Sequence, residues 1–324
     1  MATKRKSTTT KRTASTVKQT GKKVSSKTTK KSSTKTTKSA IAKASKIASI
    51  KPVSKVENST NSKSKNKSLS VMERLRRWNM AAGLLHLAQA VAVVLLASNR
   101  TFPVTTSYLT TDSLAGGSAP VLVNASRSFF DLNLAYVIAA FFALSAIAHF
   151  SVSTWYRKKY ESDLSQGINR ARWYEYSLSA STMIVAIAMI AGVADFATLL
   201  MMFGLTAVMN LCGLVMELHN KRSEKVNWSS YVVGCVAGAL PWFVYAWYVF
   251  GSSRYGEASP PTFVYAILVS IFLMFNSFAI NMWLQYKRKG RWADYLYGEK
   301  TYIVLSLVAK TLLAWQVFAG ALRP

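Results

Sequence analysis

A lysine lies near the middle of the last apolar stretch of the chain, "YIVLSLVAKTLLAWQVFAG". An ammonium group at the centre of a membrane helix costs about 2.5–3.5 kcal/mol on insertion scales. One interpretation of Lys310 is therefore structural, as the partner of a buried carboxylate. The other is chemical: desolvation favours the neutral amine, which can attack an aldehyde and form a Schiff base. A protonated Schiff base would then need a nearby anion.

Few carboxylates are placed to be that anion. Glu175 stands in "RWYEYSLSAS", at the inner end of the third apolar segment. Asp131 and Asp195 fall at the outer edge of the apolar segments, and Glu217 falls at the inner edge of the fourth. Glu175 is therefore the predicted counterion, although its depth in the segment does not by itself prove a pair with Lys310.

Further polar residues fall on the same side as Glu175. They include two histidines, a serine one helical turn before the lysine, and three other polar residues: His86, His149, Ser306, Asn276, Gln89 and Ser145. Polar residues in membrane helices almost always face the bundle interior or a wet cavity. Two histidines beside an acid and a lysine favour a cluster that handles protons. Their spacing matches no metal motif, so we expect no metal.

The elements that position these residues are seven apolar segments, each long enough to cross a hydrocarbon core of ~30 Å as a helix. They lie near residues 79–98, 129–152, 174–194, 196–216, 229–250, 262–285 and 301–321. The sequence thus predicts an all-α membrane protein with a seven-helix bundle at residues 71–324. Both cysteines, Cys212 and Cys235, fall inside these segments and are read as thiols.

Residues 1–70 differ sharply from the rest of the chain. The whole chain of 324 residues has a formal charge of +28. Much of that charge lies in a Lys/Ser/Thr-rich tail whose only acidic residue is Glu57. Such a composition cannot bury enough apolar surface to offset the entropy of ordering, so we expect disorder. Three roles remain open: contact with anionic lipid, a targeting peptide, and contact with nucleic acid or another cytoplasmic partner.

The basic residues of the loops are distributed unevenly. They concentrate in the second, fourth and sixth loops, while the first, third and fifth loops hold only Arg100, Arg127 and Arg254. Lys and Arg accumulate on the cytoplasmic side of membrane proteins. The sequence therefore predicts a cytoplasmic N-terminus and an extracellular or lumenal C-terminus.

Residues 75–324 resemble the heliorhodopsins, which are retinal proteins with an inverted membrane orientation. The resemblance rests on "RWYEYSLSAS", "GCVAGALPW", "FNSFAI" and "YIVLSLVAKTLLAWQVFAG". It implies retinal bound covalently to Lys310, all-trans in the dark, with Glu175 as counterion and with His86, His149 and Ser306 lining the nearby cavity. It also implies a homodimer in membrane lipid, and a first loop near 99–128 that folds over the bundle as strands. The long basic tail departs from the family pattern.

Aromatic residues in the apolar segments are of the right type to line a pocket for a polyene. Pockets for such ligands are mostly apolar with a few placed polar groups. The residues predicted to line it are Pro241, Trp242, Phe272, Phe275 and Trp315. Ordinary helix packing or an interfacial aromatic belt is the alternative explanation for each of them.

The predicted function is light sensing by a protein that is not an enzyme. Pumping is disfavoured because the outer part of the third segment, "MIVAIAMIAG", has no second carboxylate to relay a proton. One alternative is a light-gated proton or ion conductance. The other is a transporter without a chromophore that uses a buried Lys–Glu pair.

Overall fold

The structure is a computed structural model that describes residues 54–112, 121–221, 223–256 and 259–324. Seven helices of 20 residues or more occur in these ranges. They are α1 (Ser54–Leu96), α2 (Leu134–Ser153), α4 (Arg170–Ile190), α5 (Phe196–Asn220), α6 (Ser229–Tyr255), α7 (Thr262–Tyr286) and α8 (Tyr295–Val317). A short helix, α3 (Arg157–Leu164), connects α2 to α4, and a π-helical segment, Phe318–Leu322, extends α8.

Six of these helices are long and apolar enough to cross a membrane. The candidate spans are Val71–Leu96, Leu134–Ser153, Phe196–Asn220, Ser229–Tyr255, Thr262–Tyr286 and Tyr295–Leu322. The seventh, α4, has a comparable length but carries Arg170, Arg172 and Glu175 in its first two turns. Large apolar side chains such as Leu95 and Phe243 point outward from the bundle. The predicted all-α membrane fold with a seven-helix bundle is confirmed.

Helix α1 extends beyond its predicted membrane span. The sequence predicts a tail without regular structure to residue 70, whereas α1 begins at Ser54. Adding residues to an existing helix is much easier than nucleating a new one, so the helix that starts the first span can continue into a polar segment. The prediction for residues 1–53 falls outside the described residues.

Two long strands form an antiparallel hairpin between α1 and α2. Strand β1 (Thr101–Asp112) pairs with β2 (Val121–Asn133), with an irregularity between Val104 and Thr105. The predicted strands in the first loop are confirmed. The second span was predicted to begin at residue 129, which is wrong, because residues 129–133 complete β2. Helix α2 starts after Asn133, whose side chain accepts a hydrogen bond from the Ala135 amide at 2.9 Å.

The connection between α4 and α5 is a tight turn that also holds the hairpin. Gly192 adopts a φ of +91°, a conformation that glycine tolerates better than other residues. Asp195 then caps α5 by accepting a hydrogen bond from the Thr198 amide at 2.8 Å. The Thr105 amide donates to the Ala194 carbonyl at 2.8 Å. The hairpin therefore lies over the end of the bundle where α4 and α5 meet.

The two ends of the bundle differ in character. We call the end that holds α3 and the connections 221–228 and 287–294 the basic face, and the opposite end the hairpin face. The largest apolar cluster lies toward the hairpin face and includes Phe141, Phe142, Ile187, Trp242 and Leu313. The buried charged side chains lie from the middle of the bundle to the basic face. Among the described residues, buried charge is therefore confined to one half of the bundle.

Candidate functional site

Lys310 lies in the middle of α8 with its side chain buried. Its Nζ atom donates to the Ser306 Oγ atom at 2.7 Å and lies 3.2 Å from the Glu175 Oε1 atom. Ser306 and Lys310 are four residues apart, so they share one face of the helix. The Tyr176 ring centroid is 5.2 Å from the same nitrogen. The predicted lysine and the predicted carboxylate are thus adjacent across α8 and α4.

Glu175 is positioned by the start of α4. The Asn169 side chain caps this helix by accepting a hydrogen bond from the Arg172 amide at 3.0 Å, which places residue 175 in the second turn. The Ser145 hydroxyl on α2 donates to Glu175 Oε1 at 2.6 Å. One carboxylate oxygen therefore contacts both the lysine and a serine, an arrangement that stabilises its charged form.

The two predicted histidines lie beside this pair and stack on each other. Their ring centroids are 5.5 Å apart with an interplanar angle of 13°. His149 Nδ1 lies 2.8 Å from Asn79 Oδ1. Because the Asn79 amide nitrogen donates to the Leu75 carbonyl, Oδ1 is the acceptor and His149 Nδ1 the donor. Both ring nitrogens of His86 are buried without a partner among the described residues.

Two other predicted polar residues lie away from the lysine nitrogen. Gln89 Oε1 accepts a hydrogen bond from the Trp315 indole nitrogen at 3.2 Å, which joins α1 to α8. Asn276 is exposed, and its amide donates to the Phe272 carbonyl of its own helix at 2.8 Å. The structure therefore brings Ser145, His86, His149 and Ser306 into the neighbourhood of the Lys310–Glu175 pair and leaves Asn276 outside it.

The predicted aromatic residues of α6 and α7 form a cluster. The Trp242 ring lies 5.3 Å from those of Phe272 and Phe275, with both pairs near perpendicular. Pro241 is buried beside it in α6. Trp315 is on α8 and packs against Phe318 at 5.4 Å instead. Trp242, Phe272 and Phe275 thus present flat apolar surfaces between α6 and α7.

Two adjoining cavities connect this aromatic cluster to the lysine. The smaller one reaches Lys310 and Ser306 and is otherwise mainly apolar, with Ala180 and Met183 on its wall. The larger one, about 220 Å³, reaches Trp242 and Phe272. Both are lined by Met209, Asn210, Phe275 and Phe278. An elongated apolar space that ends at a buried amine fits a long hydrocarbon with a terminal aldehyde.

A buried ionic cluster near the basic face was not anticipated from the sequence. Arg172 on α4 is bonded to Glu217 on α5 and to Glu299 on α8. The Asn169 backbone amide donates to Glu217 at 2.8 Å, and its side chain donates to Glu299 at 2.6 Å. The sequence signal was limited to the position of these residues at the ends of apolar segments, and nothing in it showed that the three would meet.

A polar cavity separates this cluster from the lysine site. Its wall includes Glu175 and His149 at one end, Arg172 and Glu299 at the other, and Tyr160 of α3 between them. Burial, the largest cause, raises the pKa of the Tyr160 phenol, so this side chain is neutral. The site thus includes a small cavity whose polar wall groups extend from Glu175 toward the basic face.

Comparison with known proteins supports the fold and the family. The family model of heliorhodopsins matches residues 75–322. The crystal structure of a light-driven proton pump from Leptosphaeria maculans is similar with a TM-score of 0.54 and 12% identity, covering 75% of this chain and 92% of that chain. At that identity the likeness shows the fold alone. A comparison with curated sequences gave no match.

The family match covers the whole bundle, from the first membrane span to the end of the last, including Lys310 and Glu175. A retinal chromophore and a membrane environment follow from that family, and the buried amine at the end of an apolar space fits such a chromophore. The chain belongs to the heliorhodopsin family and is a retinal-binding, light-sensing membrane protein.

Proposed function

We propose that retinal is attached to Lys310, that Glu175 is its counterion, and that the protein senses light without pumping ions. One observation carries this proposal: the buried Lys310 nitrogen lies 3.2 Å from Glu175 Oε1 and 2.7 Å from Ser306 Oγ. The same nitrogen stands at the end of an apolar cavity. No other lysine among the described residues combines burial with an adjacent carboxylate.

Bound retinal, all-trans in the dark, supplies the absorption of visible light and the change of shape that follows. The chain supplies the rest of the site. Lys310 provides the nitrogen, Glu175 the negative charge beside it, and Ser306 and Ser145 the hydrogen bonds that hold both groups in place. The rings of Trp242, Phe272 and Phe275 restrict the conformations of retinal that fit in the apolar cavity.

The half of the bundle between Lys310 and the hairpin face supports sensing over pumping. Its buried side chains are apolar, as at Ile138, Met183, Ile187 and Leu313. Among the described residues, the buried carboxylates Asp163, Glu217 and Glu299 lie near the basic face, so none of them is placed to carry a proton outward through this half. An outward pump needs such a relay, because an unpaired charge in an apolar interior is strongly disfavoured.

A light-gated conductance is the second candidate. The polar cavity between Glu175 and Glu299 favours it, because its wall carries polar groups from the lysine site toward the basic face. The apolar half toward the hairpin face would have to open for conduction. A transporter that works without a chromophore has no such support, since the family is one of retinal proteins.

The basic face is proposed to be cytoplasmic and the protein to be a homodimer. The orientation rests on the excess of Lys and Arg in the loops of that face. The dimer is favoured by apolar side chains that the hairpin exposes, among them Tyr108, Leu109, Leu122 and Phe129. An exposed apolar surface of this kind typically marks an interaction site.

The attachment site is tested by the visible spectrum. The purified wild-type protein with all-trans retinal should show a visible band, and Lys310→Ala should insert and fold but show none. Lys300→Ala is the matched control, since it removes an exposed lysine ten residues away on the same helix. A normal visible band in Lys310→Ala would disprove the attachment site.

Sensing is separated from transport by measurements on illuminated cells. A sensor should cause no sustained change in external pH that a protonophore abolishes. A voltage-dependent photocurrent that reverses near the proton equilibrium potential would instead establish the conductance.

A further inference from the structure

The ionic cluster near the basic face has more negative than positive charge. Arg172 makes ion pairs with both Glu217 and Glu299, and all three side chains are at least 95% buried. The titratable groups that face the cluster from neighbouring helices are phenols: Tyr295 donates to Glu217 at 3.2 Å, and Tyr302 lies under the guanidinium with its ring centroid 3.9 Å away. Tyr286 on α7 and Tyr160 on α3 complete these surroundings.

An uncompensated negative charge in this buried cluster would be energetically costly. Two ionised carboxylates and one guanidinium leave one uncompensated negative charge, and the effective desolvation penalty for a buried ion is several kcal/mol. Glu217 and Glu299 are both bonded to Arg172 and to Asn169. Carboxylates held so close to one guanidinium avoid the cost by holding one proton between them, because two nearby like charges cannot both ionise easily. No second cation contacts either carboxylate among the described residues.

Two buried polar atoms beside the cluster are free to bind water. The Arg172 Nε atom and the Tyr302 hydroxyl are buried and have no hydrogen-bond partner within the described chain. Both residues line the polar cavity, whose volume is about 40 Å³. Since one water molecule needs roughly 10–15 Å³ of such volume, about two to four can fit.

The same cavity reaches the lysine site. Glu175 and His149 lie on its wall together with Asn79, Tyr160 and Asn169. His149 is bonded to Asn79, and Asn169 is bonded to Glu299, so polar groups continue along its length. The two ends are thus joined by buried polar groups, which can polarise one another.

We propose that Glu217 and Glu299 form a second proton-binding site, in which the two carboxylates share one exchangeable proton in the dark and in which its loss changes the charge felt at Glu175 and Lys310. The proton binds a carboxylate oxygen as an O–H bond and is exchanged with water from the basic face. The effect on light absorption rests on the proposed function, whereas the dark occupancy does not depend on it.

The dark occupancy can be measured on the full-length protein without retinal. Infrared spectra in water and heavy water should show a buried protonated carboxyl band in the wild type. The band should be lost in Glu299→Gln and in Glu217→Gln, because each leaves one glutamate paired with one arginine. Glu224→Gln, an exposed control in the α5–α6 connection, should keep it. A band of the same intensity in all four proteins would overturn the shared proton.

The coupling to the lysine site is measured on the pigment. As the pH rises and the shared proton is lost, the wild type should show a shift of its visible band, because a negative charge appears on the basic-face side of Lys310. Glu299→Gln and Glu217→Gln should lack that titration step, and Glu224→Gln should retain it. Persistence of the step in both cluster variants would overturn the coupling. Absence of any pigment from the wild type would instead count against the retinal site and leave the infrared result standing.

Discussion

His149 Nδ1 donates a hydrogen bond to Asn79 Oδ1 at 2.8 Å, and this contact joins α2 to α1 inside the polar cavity. The same asparagine donates to the Leu75 carbonyl. The orientation of His149, and the tautomer with hydrogen on Nδ1, are therefore fixed by the first helix.

Asn79→Ala should destabilise the protein because it leaves the buried His149 Nδ1–H without its acceptor. The expected cost is about 1–3 kcal/mol. Thermal unfolding of the pigment measures it, with Gln89→Ala as a control that removes a different contact from the same helix. Equal unfolding temperatures for Asn79→Ala and the wild type would mean that water replaces the asparagine.

His149→Phe and His86→Phe should change the rates at which the Lys310 nitrogen loses and regains its proton after a flash. Histidine is the side chain that most readily exchanges a proton near neutral pH. Pigment formation should be retained, since neither ring contacts the lysine nitrogen directly. Flash spectroscopy provides the rates, and wild-type kinetics in both variants would exclude the histidines from proton handling.

Glu175→Gln should move the visible band to longer wavelength. In the proposed site, the carboxylate 3.2 Å from Lys310 Nζ would localise positive charge on the nitrogen in the ground state, and the neutral amide would not. Glu175→Asp should keep the pigment with an altered colour. If the band of Glu175→Gln is unchanged, the counterion is another carboxylate.

The ionic cluster should respond unequally to single and double substitutions. Glu217→Gln or Glu299→Gln alone leaves a neutral ion pair with Arg172 and should be tolerated. The double variant leaves the buried guanidinium without an anion, which costs about 3–5 kcal/mol. Unfolding in denaturant should reveal this difference, and additive effects of the two single changes would argue against a shared arginine.

Two glycines in α5 should respond in opposite directions to alanine. A Cβ atom on Gly213 would overlap the Trp173 ring, whereas one on Gly204 meets nothing within 4 Å. Gly213→Ala should therefore lose about 1–3 kcal/mol by overpacking, and Gly204→Ala should gain about 0.5–1 kcal/mol from helix propensity. Thermal unfolding of both variants checks the packing of α4 on α5.

The sequence predicts those parts of the site that helical spacing determines. Ser306 and Lys310 are one turn apart, so their contact follows once the segment is a helix. The neighbourhood of Glu175 follows from the scarcity of other carboxylates. Polar type and depth do not specify which way α7 is rotated: Asn276 lies outside the cavity that reaches Lys310 and on the wall of the larger one.

The ionic cluster could not be predicted for a different reason. Arg172, Glu217 and Glu299 come from three helices that are distant in sequence, and their charges lie near segment ends, where charges usually indicate only membrane topology. Their meeting depends on how α4, α5 and α8 pack. The helical start of α1 in a polar segment likewise depends on its continuity with the span that follows.

Helix α1 is one continuous helix that extends well beyond its membrane span. Its 43 residues, at ~1.5 Å each, form a rod about 65 Å long. A hydrocarbon core of ~30 Å covers only about half of that length. Asn79 is 25 residues from Ser54, so a tilt of roughly 5° about the His149 contact would displace the far end of a straight helix by about 3 Å. A small tilt of α1 at the His149 contact would thus produce a larger displacement at Ser54.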